Sequence, residues 1–136
     1  MTGETDLSAL LVHMQPELDP QRYVFCTFPN RTMAQLSELE PAGLIREVEG
    51  ITAILPVERA KTLGFGETGQ FRRITLTVHS SLEAVGLTAA ISQALAKDGI
   101  SANVVAGYFH DHVFVQVEKA QNALSVLQKM SATAGS

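Results

Sequence analysis

Cysteine, clustered positive charge and long apolar runs are all scarce in this 136-residue chain. The single cysteine, Cys26, excludes an internal disulfide. Its place in the apolar run YVFCTF makes it a small buried hydrophobe of a reducing compartment rather than a nucleophile. Ten Lys and Arg against fourteen Asp and Glu leave a net charge of −4, and only Arg72 and Arg73 are adjacent. No aromatic residue alternates with a basic stripe, so a phosphate-neutralising surface is absent and nucleic acid is not the expected partner. The opening MTGETDLSALLVHM is acidic and polar before a short apolar stretch, which fits neither a signal peptide nor a membrane span. A cytoplasmic protein without a membrane partner is the expectation. What the chain does have is apolar content, 46% of its residues. At this length one compact fold buries about 65 to 70% of the surface its unfolded form exposes, so it needs neither metal nor disulfide.

The C-terminal half carries the clearest pattern. Ile74, Leu76 and Val78 alternate with Thr75, Thr77 and His79, as in a strand with one buried face. In SSLEAVGLTAAISQALAKDG, Ser80 and Glu83 have capping-box spacing, and Leu87, Ala90, Ile91, Ala94 and Leu95 make a helical stripe. A helix starting near Leu82 and ending at Asp98-Gly99 follows. Two strand-like runs come next, Ala102 to Phe109 and His112 to Val117. With His110-Asp111 as a tight turn, Val104 pairs with Val117, Ala106 with Val115 and Tyr108 with Val113. That collects one apolar face and leaves Asn103, Val105, Gly107, Phe109, His112, Phe114 and Gln116 on the other, a mixed surface of the kind that packs on a second sheet or subunit. Ala120, Ala123, Leu124 and Leu127 form a last helical stripe, and TAGS is expected to trail off as a flexible tail.

The N-terminal half repeats this order in shortened form. LPVERA at Leu55 to Ala60 matches VQVEKA at Val115 to Ala120 at an offset of sixty residues. Each reads as the end of a strand and the start of a helix, with a glutamate near the helix N-terminus where it complements the macrodipole. Outward from that anchor, YVFCTF is a first strand, TMAQLSELE a stunted helix, LIREVE a second strand, and ITAILPV a third leading into ERAKTLG. The glycine-rich GFGETGQ, Gly64 to Gln70, is the natural junction, which divides the chain into residues 1–66 and 67–136. Two strand-helix-strand-strand-helix units imply an α+β protein of ferredoxin-like βαββα units, with antiparallel sheet covered by helices on one face. Such small units are expected to pair within the chain and, through exposed sheet, as a homodimer.

Several motifs invite catalytic or metal readings. His110-Asp111-His112 places two imidazoles around a carboxylate. A catalytic metal takes about three protein ligands. His13 and His79 lie in other elements, and residues 110 and 112 diverge if 110 and 111 turn a corner, so a turn is the better reading. GFGETG lacks the parallel strand of a dinucleotide fold and the Gly-Lys-Ser/Thr of a P-loop. No serine has a nucleophile-elbow context, and no set of titratable groups converges along the sequence. No metal, cofactor or catalytic residue is assigned.

The stretch VHSSLEAVGLTAAISQALAKDGISANVVAGY resembles the ACT domain, the small ligand-sensing module of many amino-acid biosynthetic enzymes, and above all the ACT domains of aspartate kinases. Glu83-Ala84-Val85-Gly86 stands where that family has Asp-Arg-Pro-Gly or a close relative, and Gly99-Ile100-Ser101-Ala102-Asn103 where it has Gly-Ile-Asn. Glutamate thus replaces aspartate and valine replaces proline. The tandem order is similar to small stand-alone bacterial proteins with two ACT-like halves, strongly over the second half and weakly over the first, which has no comparable glycine-opened loop. The resemblance implies a non-enzymatic regulatory module. It would bind an amino acid or related metabolite at the loop between first strand and first helix, often across paired modules. There a glycine lets backbone approach the ligand and first-turn N–H groups receive its carboxylate. By the same resemblance the ligand residues are Ser80, Ser81, Leu82, Val85, Gly86 and Leu87, with Asn103 and Val104 on the facing strand. His79 is a ligand contact or an outer-face polar residue, Glu83 a partner for a ligand ammonium or a helix-start residue, and Asn103 a ligand contact or a bridge to the helix end. A purely structural protein-protein interaction module is the alternative.

Overall fold

A computed structural model describes residues 6–79, 81 and 85–135. Its elements are α1 (Leu7–Val12), β1 (Pro16–Phe28), α2 (Met33–Ser37), β2 (Gly43–Glu47), β3 (Gly50–Pro56), α3 (Val57–Thr62), β4 (Gln70–Leu76), α4 (Leu87–Lys97), β5 (Asn103–Ala106), β6 (Asp111–Gln116) and α5 (Ala120–Ala134), with a 3-10 turn at Val117–Lys119. The α+β class and the two strand-helix-strand-strand-helix runs are as the sequence implies. The chain forms two compact units, an inserted one, Gln21–Phe71, and a split one, Met1–Pro20 with Arg72–Ser136. Residues up to Pro20 therefore cluster with the second half of the sequence, although they precede the first.

In the inserted unit β1 and β3 pair antiparallel, with Val24 opposite Leu55, Cys26 opposite Ala53 and Phe28 opposite Ile51. These inward side chains join Leu36, Val57 and Ala60 in one core. β3 also pairs antiparallel with β2, giving the order β2-β3-β1. The run LIREVE is strand only to Glu47. Gly50, paired with Glu47, opens β3 at φ 151°, where an added Cβ would meet Pro29 Cα at 2.9 Å, so Val48-Glu49 become the hairpin turn.

The split unit has the order β1-β4-β6-β5, with Pro16–Pro20 of β1 as its outer strand. Its core gathers Leu10 and Met14, Ile74 and Leu76, the α4 stripe Leu87, Ile91 and Leu95, Val113 and Val115, and Ala120, Ala123 and Leu127 of α5. Counted β1, β2, β3 in the inserted unit and β4, β5, β6 in the split one, the order is the same, first strand beside third and third beside second. The repeat is visible in the backbone too. Pro56 before α3 has φ −53°, ψ 141°, and Gln116 before the 3-10 turn has φ −55°, ψ 139°. Ala60 and Ala120 are both fully buried.

Four expectations need correction. α1 forms where no element was assigned, opened by Asp6, whose carboxylate accepts from Ser8 N at 3.0 Å, and held by buried Leu10. α4 begins at Leu87, not near Leu82, because Gly86 sits at φ 99° and interrupts helical backbone; Ser80 and Glu83 of the expected capping box lie outside the described residues. The β5–β6 hairpin turns through Gly107–His110, so Val104 faces Val113 and Ala106 faces Asp111. Gly107 N donates to His110 O at 2.9 Å, and a Cβ at Gly107 would lie 2.8 Å from that oxygen, which fixes the glycine inside the turn. The shift is even, so the predicted faces survive. Finally, Thr133 and Ala134 continue α5, and Ser131 Oγ donates to Val12 O at 3.0 Å, so the helix runs through the first half of the expected tail.

Candidate functional site

The loop from β4 to α4 ends on Gly86, left-handed at φ 99°, with Ala90 N donating to Gly86 O at 2.9 Å to close the first helical turn. As the N-cap, Gly86 gives that turn no side-chain hydrogen bond. The aligned backbone dipoles at the start of this eleven-residue helix favour an anion there. Gly86 is also where α1 approaches, since a Cβ on it would meet Leu7 Cδ2 at 3.3 Å. Val85 is 83% exposed beside it.

Of the residues the resemblance assigns, Ser80 and Leu82 lie outside the described residues, and Ser81 is half-buried. Leu87 is 2% exposed and belongs to the core, so its side chain is structural and only its backbone faces the loop. Val104 also packs against that core. Asn103 donates from Nδ2 to Phe114 O at 3.2 Å, across the strand pair it opens. The bridge to the helix end considered for it is not the contact observed. The site is thus a matter of backbone at Gly86 and Leu87 more than of converging side chains.

Both histidines meet the β4 segment, His112 at Thr75 within the strand and His110 at Val78 just beyond its end. His110 Nδ1 lies 3.0 Å from Val78 O, and His112 Nδ1 lies 2.9 Å from Thr75 Oγ1. Asp111 is a strand residue opposite Ala106, not a corner. Burial pushes its carboxyl above the ordinary value, with the His110 charge pulling the other way. Burial first, then the charges of Arg73 and His110, hold the His112 imidazole below its ordinary value, so this ring favours the neutral form. Arg73 in turn pairs with Asp19 at 3.0 Å. Among the described residues no group of three His, Cys, Asp or Glu could hold a metal ion. Burial pushes the Cys26 thiol up to about 11, which suits a packed thiol and not a nucleophile.

His79, beyond the end of β4, lies with its ring 5.1 Å from that of Phe109 and 6.4 Å from that of Tyr108. Tyr108 and Phe109 are 64% and 55% exposed at the hairpin tip. Sequence reasoning missed this juxtaposition of the tip with the mouth of the loop. The signal available was the register, because moving the turn back to Gly107–His110 is what places these aromatics at the tip.

Comparison with known proteins gives two adjacent matches. A family model described as ACT domain matches residues 2–72, and a second model of that description matches residues 70–129. The two sequence matches meet near Gln70, whereas the compact unit that contains Arg72–Ser136 also holds the first twenty residues. A solved Vibrio cholerae protein of unknown function, described as a possible transport protein, is 55% identical over 88% of this chain and 91% of its own, with a TM-score of 0.79. The regulatory subunit of aspartate kinase from Thermus flavus superposes at a TM-score of 0.60 with 14% identity, over 96% of this chain and 99% of that one. An Agrobacterium tumefaciens protein gives 0.62 at 11% identity, over 85% and 87%. At those identities the last two establish the fold alone. No curated protein matches the chain.

Proposed function

Because the chain belongs to the ACT-domain family, whose members are typically small-molecule-binding regulatory modules, we propose that it senses an amino acid or related polar metabolite at the β4–α4 loop. The observation that carries this reading is Gly86, a left-handed residue opening a long helix whose first turn has no side-chain cap. A ligand carboxylate fits such a turn, where N–H groups and the helix dipole both favour negative charge. The glycine admits backbone approach that a side chain would obstruct. In this reading the chain is a cytoplasmic homodimer without catalytic activity, and ligand acts through different affinities for two packings of its units. Among the described residues no helix is long and apolar enough to cross a membrane.

The exposed pair Tyr108 and Phe109 favours a second reading, a protein-protein interaction module without a ligand, since large apolar groups at a surface tip are a common docking feature. A thermal-shift screen of the common amino acids separates the two. A ligand at a hundred times its dissociation constant stabilises by about 2.7 kcal/mol. Gly86→Asn keeps a residue that tolerates positive φ while adding a side chain at the helix mouth, and is expected to abolish the shift. Silence of every amino acid at millimolar concentration, or unchanged binding in that variant, counts against the sensing site.

A further inference from the structure

The face of the split unit's sheet turned away from its helices holds a recess of about 400 Å³, lined by Glu17 and Asp19 of β1, Arg73 and Thr75 of β4, Thr77 just after it, and His110. This size lies within the range of small-ligand sites. What distinguishes the recess is where its hydrogens have gone. A hydroxyl has one hydrogen, and that of Thr77 is donated to Gln15 O at 2.8 Å, leaving lone pairs on Oγ1. His110 Nδ1 faces Val78 O at 3.0 Å, and since a carbonyl only accepts, Nδ1 must carry the ring hydrogen. Arg73 Nη2 donates to Asp19 Oδ2 at 3.0 Å, which balances one carboxylate internally. Glu17 is exposed at the rim and has no ion-pair partner among the described residues. The lining thus carries two carboxylates against one guanidinium, with Thr77 Oγ1 adding an acceptor.

We infer that this recess binds the ammonium group of a small amine, an acceptor-rich pocket being complementary to a cation with three donors. The inference stands apart from the loop reading, since only Thr77, directly after β4, borders the β4–α4 loop and none of its residues is among those assigned to the ligand there. Glu17 supplies the compensating charge, Asp19 the second carboxylate, and Thr77 Oγ1 a directed acceptor.

The test is a nitrogen-15 amide NMR titration of the full chain with n-butylamine hydrochloride, against sodium butyrate and sodium chloride at matched ionic strength. Butylamine is expected to shift the amides of Leu18, Asp19, Thr75 and Thr77 saturably at millimolar concentration, and butyrate to leave them in place. Glu17→Gln, at an exposed position, should weaken binding about tenfold, the usual scale for losing a charged hydrogen-bond partner. Thr77→Ser keeps the hydroxyl and should keep binding, whereas Thr77→Val should weaken it. Equal shifts with butyrate, no saturable shift with butylamine, or full binding by Glu17→Gln would overturn the inference. An amino acid that moves the amides of Gly86 to Ala89 while butylamine leaves the recess amides still would retain the loop reading and reject this one.

Discussion

Each unit follows its first strand with a helix, and the two helices are opened in opposite ways. In the inserted unit α2 has five residues and a closed mouth. Thr32 Oγ1 accepts from Gln35 N at 3.1 Å, while Gln35 Oε1 accepts from Thr32 N at 2.9 Å. In the split unit α4 has eleven residues and a mouth without a side-chain cap, behind a left-handed glycine. One copy of the repeat ties its helix-start hydrogen bonds to the N-cap side chain, and in the other the N-cap glycine has no side chain to offer. A capping box stabilises by removing the donors a ligand would need. Under the proposed function, the asymmetry separates a half whose loop serves the fold from a half whose loop serves recognition.

The strongest way to break that contrast is to deny α4 its glycine. Gly86→Val places a β-branched residue at φ 99° and a Cβ near 3.3 Å from Leu7 Cδ2. Left-handed strain and crowding together should cost roughly 2 to 3 kcal/mol, read as a lower midpoint in urea unfolding. A midpoint within error of the parent chain would mean that the open mouth is not held by Gly86. The matching experiment on the other copy is Thr32→Ala, which removes the cap from α2 and should cost about 1 kcal/mol. It should leave any amino-acid thermal shift intact, because α2 takes no part in binding. Loss of that shift in Thr32→Ala would erase the proposed division of roles.

Much of this fold was legible in the sequence because the apolar alternation of β3, β4 and β6 and the stripes of α4 and α5 are strong periodic signals. The sixty-residue repeat pointed to two strand-to-helix junctions that share backbone angles within a few degrees. The failures lie where one residue's local geometry outweighs pattern. Ser80 and Glu83 have the spacing of a capping box, but a helix cannot run through Gly86 at φ 99°. His110-Asp111 looks like a two-residue turn, but Gly107 fits closely against His110 O and draws the turn back by two residues. α1 escaped notice because six residues offer barely more than one helical period. At the site, the resemblance located Gly86 and Leu87, yet it could not separate a backbone role from a side-chain role. Leu87 and Val104 are committed to the core. The pairing of His110 and His112 with β4 depends on strand order, which links residues more than thirty apart in sequence.

The smallest effect expected distinguishes the units by pH. In the split unit His112 has its folded-state value lowered, chiefly by burial. The unfolded chain then binds more protons than the native one as pH falls below the ordinary histidine value near 6.5, so stability declines on the acid side until the folded ring itself titrates. Asp111, with its value raised from 3.8, acts in the opposite direction at lower pH: its contribution is present in acid and lost as pH climbs through the raised value. In the inserted unit Cys26 is raised from 9.0 to about 11, so its contribution is lost only as pH rises between those values. Chemical unfolding followed by circular dichroism across this range should therefore show an acid-side decline that His112→Gln flattens, and an alkaline decline that Cys26→Ala flattens. The His112 ring is about half-buried and solvent screens part of its shift, which is why this slope ranks below the two helix-mouth effects. An acid slope unchanged in His112→Gln would place the acid sensitivity on carboxylates elsewhere, and would remove the Thr75–His112 contact from any role in tuning the sheet face of the split unit.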